Sequence, residues 1–172
     1  MFYRPEDGHG LPHNPFNAIV APRPIAWVST RGADGQDNLA PYSFFNGVAY
    51  DPPQVMFSTT GSKVDRIHGK DTLNNIEQTG VFCINVVEEE GMGPMNASSA
   101  NLPAGTDEFV AAQVTKVACK EIACSRVALA PAALECRLNQ VVKARGENNY
   151  VVFGSVIGVY IRDDCLVDGK FD

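Results

Sequence analysis

Two long runs near the C-terminus set the strongest limit on the fold. Residues 134–144 (LECRLNQVVKA) and 150–161 (YVVFGSVIGVYI) alternate between apolar and polar or small side chains, and Arg145-Gly146-Glu147-Asn148-Asn149 joins them. Period-two alternation around a short Gly/Asn link predicts a long β-hairpin. Such a hairpin needs partners for its edges, and several short strand-like runs can supply them. These are residues 25–30 (IAWVST), 38–48, 55–59 and the apolar 81–87 (VFCINVV). Gly32-Ala33-Asp34-Gly35 and Asp51-Pro52-Pro53 supply the turns between the first three. Gly154 and Gly158 suggest bends or bulges of a closed barrel.

Helix signals are few. Residues 71–79 (DTLNNIEQT) predict a short helix with Asp71 as N-cap, Leu73 and Ile76 on one face, and Gly80 just past the end. Residues 88–95 predict a short acidic helix that starts at Glu88-Glu89-Glu90. Residues 1–18, 61–69 and 96–109 read as an irregular arm, a polar loop and a second loop. The expected architecture is mainly β: a small barrel with a few short helices, in a single domain spanning residues 1–172.

Composition narrows the function classes. The 172 residues are one domain's worth, and 45% hydrophobic with 20% charged residues describes a folded globular chain. The net charge of −6 argues against a nucleic-acid partner. No apolar run approaches the roughly 20 residues of a spanning helix. The N-terminal MFYRPEDGHGLPHNPFN has no apolar signal core, so no secretory signal is expected, and no membrane partner is expected either. Cys83, Cys119, Cys124, Cys136 and Cys165 are odd in number and form no CxxC, which argues against a disulfide framework or zinc site. Cys83 and Cys136 read as small core residues, and a reducing cytoplasm fits.

The candidate chemistry lies in two places. Asn38-Leu39-Ala40-Pro41 begins a strand poorly. Pro41 removes a ladder donor, so the segment is an edge or a bend. Its peptide groups are then left for a ligand, such as a planar heterocycle. Ser43 and Phe44 are expected on opposite faces, one to bond a ligand and one to pack. Lys70-Asp71-Thr72 opens the predicted helix, where free N–H groups and a cation suit a phosphate. Ser58, Thr59 and Thr60 end the preceding strand with hydroxyls. Plain capping by Asp71 accounts for the same helix start, and on the residues alone both readings stand. His9 and His13 lie among glycines and prolines and make no helical metal pair. His68 reads as a solvated loop residue, with contact to a phosphate or dinucleotide as the other reading; Arg23 reads as a surface residue, with contact to an anionic group as the other; Trp27 reads as core. There is no GxGxxG and no GxxxxGK[ST], so dinucleotide-fold and P-loop readings lack support.

Five segments in order carry a resemblance: PRPIAWVST (22–30), NLAPYSFFNGVAYDPPQVMF (38–57), KDTLNNIEQTGVFCINVV (70–87), MNASSANLPAGTDEF (95–109) and ALECRL (133–138). Together the chain resembles the flavin reductase-like proteins with the FMN-binding split β-barrel fold. That group includes flavoredoxin-like proteins and the reductase components of two-component monooxygenases. The resemblance implies FMN as cofactor, NADH or NADPH as hydride donor, a homodimer with FMN near the interface, and an electron acceptor such as a monooxygenase. It implies that Asn38, Leu39, Ala40 and Pro41 line the flavin ring, with Ser43 and Phe44 beside it and Thr30 close by. It implies that Lys70, Asp71 and Thr72 hold the phosphate, faced by Ser58 and Thr59, with Asn96 and Ser98 approaching the cofactor. No catalytic acid–base dyad is expected, because the cofactor carries the chemistry. Family members usually run on past a point like residues 168–172, with a tail that often covers the flavin or the partner, and here the chain stops. The rival function is an FMN-binding electron carrier without nicotinamide activity. Pyridoxamine-phosphate chemistry on a related barrel is disfavoured by Asn-Leu-Ala-Pro and by the lack of a second basic cluster.

Overall fold

The computed structural model describes residues 1–62, 70–103 and 105–172. Most of the expected polar loop over 61–69, with His68, lies outside them. The strands run β1 Ala26–Arg31, β2 Asp37–Tyr42, β3 Phe45–Tyr50, β4 Pro53–Thr59, β5 Val81–Asn85, β6 Lys116–Ala118, β7 Ser125–Val127, β8 Ala132–Lys143 and β9 Tyr150–Ile161. The helices are α1 Pro15–Ile19, α2 Asp71–Thr79, α3 Met92–Ser98 and α4 Glu108–Ala111. Seven strands form one antiparallel sheet in the order β2-β1-β5-β8-β9-β4-β3, and β6 pairs with β7 as a separate ribbon.

The order of the strands forces the shape. β2 and β3 are the two margins of the sheet, yet only Ser43 and Phe44 separate them in sequence. In a flat sheet they would stand ~29 Å apart, from spacings of about 4.8 Å. The step from Tyr42 to Phe45 reaches at most about 10 Å. The sheet must therefore roll until its margins meet, which makes a split β-barrel. Across the split the Tyr42 and Phe57 rings sit 4.9 Å apart. Val28, Phe57, Phe82, Ile84 and Val152 fill the interior, and α2 contributes Leu73 and Ile76 to it. Gly80 ends α2 in the left-handed region, φ 72°, with its N–H on the Ile76 carbonyl at 2.8 Å.

β1 is buried on both faces. Ala26 and Val28 face the barrel, whereas Trp27 packs outside it with Leu39, Phe109, Val127 and Ala130. Trp27 Nε1 donates to Ser98 Oγ at 2.9 Å, so α3 is tied to the sheet.

The long hairpin forms as expected, and its ladder shifts register beside both glycines. Gly154 answers a close approach: a Cβ there would lie 2.4 Å from Phe82 Cζ.

Several boundaries differ from expectation. The strand expected over 38–48 is two strands, broken at Ser43 and Phe44. Asp71 is the first helical residue, and Lys70 holds the N-cap position without a side-chain cap bond. Glu89–Gly91 forms a 3-10 turn that leads into α3, so residues 96–98 are helical and not loop. Glu88 instead accepts both Nη atoms of Arg162, at 2.8 and 2.9 Å. The N-terminal arm contains α1 and a 3-10 turn, Pro5–Asp7.

A charge cluster clamps β2 to the ribbon. The buried Asp37 carboxylate accepts Arg31 Nε at 2.8 Å, Lys116 Nζ at 2.7 Å and Ser125 Oγ at 3.0 Å. Burial pushes this carboxyl up, but the bonds from Arg31, Lys116 and Ser125 outweigh it and hold it below the ordinary 3.8. A depressed carboxyl stabilises the fold above its unfolded value and loses that contribution as pH falls through the lower folded one. Asp37→Asn is expected to cost about 2 kcal/mol at pH 7, with allowance for the partly exposed Arg31 and Lys116. In denaturant titrations the gap to wild type should narrow steadily below pH 4; a gap independent of pH would contradict this.

Candidate functional site

Asn38 organises the mouth of the barrel. Its Nδ2 donates to Glu108 Oε2 at 2.8 Å, and its Oδ1 accepts from Thr72 Oγ1 at 2.8 Å and, more weakly, Thr30 Oγ1 at 3.4 Å. Thr30 Oγ1 in turn accepts from Asn75 Nδ2 at 3.1 Å. Glu108 Oε2 also accepts the Leu39 N–H at 3.3 Å. Glu108 and Asn38 are almost fully buried. One amide therefore joins β2, α2 and α4, and buried polar groups so paired rigidify what they join.

A groove runs along this mouth in two lobes. The first, about 240 Å³, is walled by Asn38, Ala40 and Pro41 of β2, the start of α2, the chain from Ser98 to Asn101, and Glu108. The second, about 270 Å³, is walled by Arg23, Ser43, Phe44 and Ser58. Pro41, Tyr42, Thr60 and Lys70 line both lobes, so the two adjoin. Each lobe alone falls short of the roughly 300–1,000 Å³ of a small-molecule site, and joined they reach it.

Charge divides the lobes. Asp71 and Glu108 line the first together with Lys70. Arg23 and Lys70 line the second, and none of the described residues lining it is acidic. Tyr42 stands between, with a buried hydroxyl that has no hydrogen-bond partner in good geometry among the described residues. Burial pushes its phenol well above the ordinary 10, the nearby Thr72 hydroxyl lowers it somewhat, and the Asp71 and Glu108 carboxylates raise it further. It stays a protonated donor at any physiological pH.

The residues singled out from sequence divide three ways. Asn38, Ala40, Pro41, Lys70, Asp71, Thr72 and Ser98 come together in the first lobe. Ser43, Phe44 and Ser58 meet in the second, so Ser43 and Phe44 line the same groove. Thr30, Leu39, Thr59 and Asn96 line neither. Thr30 sits behind Asn38, the Leu39 side chain packs on Trp27 and Phe109, Thr59 is buried with a hydroxyl that has no partner among the described residues, and Asn96 is exposed.

Two expectations about free groups need correction. The Leu39 N–H is taken by Glu108 and Pro41 has none, so this margin of β2 offers carbonyl oxygens more than donors. The Ser98 hydroxyl is spent between Trp27 Nε1 and the Met95 carbonyl at 2.8 Å. Sequence reasoning passed over Tyr42, Asn101 and Glu108, and named Thr60 only as a hydroxyl at the end of a strand. Thr60 was visible as the last of three consecutive hydroxyl residues. Glu108 had no signal beyond its charge, because its burial depends on α4 docking against β2.

A family model described as "Flavin reductase like domain" matches residues 20–170. Among solved structures, nitrilotriacetate monooxygenase component B from Bacillus cereus is 26% identical, with the likeness covering 99% of this chain and 86% of that one at a TM-score of 0.87. The 2-nitrobenzoate 2-nitroreductase NbaA of Pseudomonas fluorescens is 31% identical, over 87% of this chain and 69% of that one, at a TM-score of 0.75. An uncharacterized protein from Deinococcus radiodurans is 38% identical over 157 residues, 89% of this chain and 67% of its own length.

Proposed function

The chain belongs to the flavin reductase-like family, and on that premise we propose that it binds flavin mononucleotide in the two-lobed groove and passes it a hydride from NADH or NADPH. The observation that carries this reading is the groove's uneven charge: one lobe holds the β2 margin, small residues and the Asp71 and Glu108 carboxylates, and the other holds Arg23 and Lys70 with no acid among its described residues. A flavin has one planar ring system and one phosphate, and the two lobes suit those two parts.

The buried Tyr42 hydroxyl between the lobes has no hydrogen-bond partner in good geometry among the described residues, which fits a ligand with oxygens at that point. Bound flavin would supply the two-electron chemistry, accepting a hydride on its ring and passing the electrons on. The chain's own part is to bind and orient. The Pro41 carbonyl of the β2 margin lies where it can accept the single ring N–H of a flavin. Asn38, fixed by Glu108 and Thr72, holds that margin still. Lys70, shared by both lobes, offers a phosphate its charge.

The same reading takes residues 1–172 as one flavin-binding domain that works as a homodimer in the cytoplasm. Its five cysteines are free, and all but Cys119 are buried, as suits a reducing compartment. The likeness to a protein named as a monooxygenase component favours an acceptor monooxygenase as partner.

Protein mixed with flavin mononucleotide should consume NADH or NADPH steadily, followed at the nicotinamide absorbance band. A flavin-loaded protein that leaves both nucleotides untouched would be an electron carrier instead. Lys70→Ala combined with Thr72→Val is expected to weaken flavin mononucleotide binding by about tenfold or more, since a charged bond is worth roughly 1–3 kcal/mol and loss of the Thr72 bond loosens Asn38 at the groove wall. Calorimetric titration measures it, and unchanged affinity would remove these residues from the site.

A further inference from the structure

Three of the five cysteines meet in one place. Cys83, Cys124 and the half-exposed Cys119 pack together with Ile122 and Ala133. The Cys119 thiol contacts the thiols of both Cys124 and Cys83. Cys136 belongs to the barrel interior, and the Cys165 thiol meets Asp164, so neither joins the cluster.

The fold sets Cys119 and Cys124 opposite each other. β6 and β7 pair Lys116 with Val127, Val117 with Arg126 and Ala118 with Ser125, so the next step of the ladder brings Cys119 against Cys124. The Cys119 N–H donates to the Cys124 carbonyl at 2.9 Å, which continues the ladder to that step. Facing residues of an antiparallel pair stand about 5.5 Å apart at Cα, inside the roughly 4.4–6.8 Å span of a disulfide. The turn that joins them is held by Glu135, which accepts the Lys120 and Glu121 N–H groups at 2.9 and 2.6 Å. Cys83 is placed worse for a bond. It is fully buried in β5, which is laddered to β1 on one side and β8 on the other, so closing on Cys119 would strain the sheet. A surface trough of about 510 Å³, lined by Ala118 and Lys120 on either side of Cys119 in the chain, gives a small oxidant a way in.

We propose that Cys119 and Cys124 are an oxidative modification site, which hydrogen peroxide closes to a disulfide. The Cys119 sulfur attacks one peroxide oxygen, the O–O bond breaks, and the departing hydroxide takes a proton and leaves as water. The Cys124 sulfur then attacks the Cys119 sulfenic acid. The S–S bond forms, the S–O bond breaks, and the second hydroxide leaves as water with the Cys124 proton. Two thiols are oxidised and one peroxide is reduced. Reduced flavin that meets dioxygen gives it two electrons and two protons, which makes peroxide; this source of oxidant rests on the flavin reading above. Contact with Cys124 pulls the Cys119 thiol down, but Cys83, burial and the Glu135 carboxylate outweigh it and leave it above the ordinary 9.0. Little thiolate is present at neutral pH, so the bond forms only where peroxide accumulates.

Reduced wild type is treated with hydrogen peroxide at several concentrations, remaining thiols are blocked with iodoacetamide, and tryptic peptides are weighed with and without dithiothreitol. Cleavage after Lys116, Lys120 and Arg126 leaves Cys119 in residues 117–120 and Cys124 in residues 121–126. The expected product is these two peptides joined, two hydrogens lighter than their sum, and separated by dithiothreitol. Cys83→Ser should change its yield by less than about twofold, and Cys119→Ser should remove it. A bond from Cys119 to Cys83, a Cys119 carried on to sulfinic acid, or thiols unmoved by excess peroxide overturns the proposal. A second sample receives flavin mononucleotide, air and NADH or NADPH, with and without catalase. The joined peptides should form only where catalase is left out. Joined peptides from added peroxide but none from turnover support the site and count against the flavin reading beneath its oxidant.

Discussion

Glu108→Ala is expected to lower the unfolding free energy by about 2–4 kcal/mol and to weaken flavin mononucleotide binding more than tenfold. Glu108 is 2% exposed and accepts two donors on one oxygen, the Asn38 amide and the Leu39 N–H. Alanine leaves both without an acceptor, and each such loss costs roughly 1–3 kcal/mol. The effect reaches the ligand because Asn38 and Leu39 belong to the margin of β2 that walls the first lobe. Glu108→Gln keeps one acceptor oxygen for the same donors and should lose less than half as much stability. Equal losses in the two variants would mean that the carboxylate's charge, and not its hydrogen bonds, holds the strand. Urea denaturation of both variants decides between these outcomes.

Gly154→Val is expected to destabilise the barrel by about 3 kcal/mol or more, without touching the groove. A Cβ at residue 154 would lie 2.4 Å from Cζ and 2.8 Å from Cε1 of Phe82, and 3.2 Å from the Arg137 carbonyl. Phe82 is fully buried in the barrel, so it has nowhere to retreat. Forcing extra carbon into such a core costs typically about 1–3 kcal/mol, and valine adds two methyls beyond the Cβ. A shorter side chain across the barrel should relieve part of the clash, so Gly154→Val with Phe82→Leu is expected to be more stable than Gly154→Val alone. A double variant whose losses simply add would show that the two residues do not meet as described.

What the sequence made legible was local. The hairpin of β8 and β9 could be read from alternation, and its glycines flagged the register shifts, because both depend on near neighbours in the chain. Pro41 marked β2 as a sheet margin for the same reason. The break at Ser43 and Phe44 was hidden, since it follows from rolling the whole sheet until its two margins meet. Asp71 was misplaced as a cap by one residue, because Lys70 carries no capping side chain to betray the boundary. Half of the groove could be guessed from hydroxyls and from Lys70. The other half, from Arg23, Tyr42 and Glu108, is assembled by contacts between distant segments. Arg23 in particular looks like a surface residue until Asn17, Val20 and Phe44 are seen around it.

The central claim is that this barrel mouth holds a flavin by ring and phosphate. The visible spectrum of the purified protein, before and after adding flavin mononucleotide, tests it most directly, with any chromophore released and weighed by mass spectrometry. The account predicts a flavin spectrum shifted from that of the free cofactor, one flavin per chain at saturation, and the mass of flavin mononucleotide. A colourless protein whose spectrum remains that of free flavin at every concentration added would contradict it.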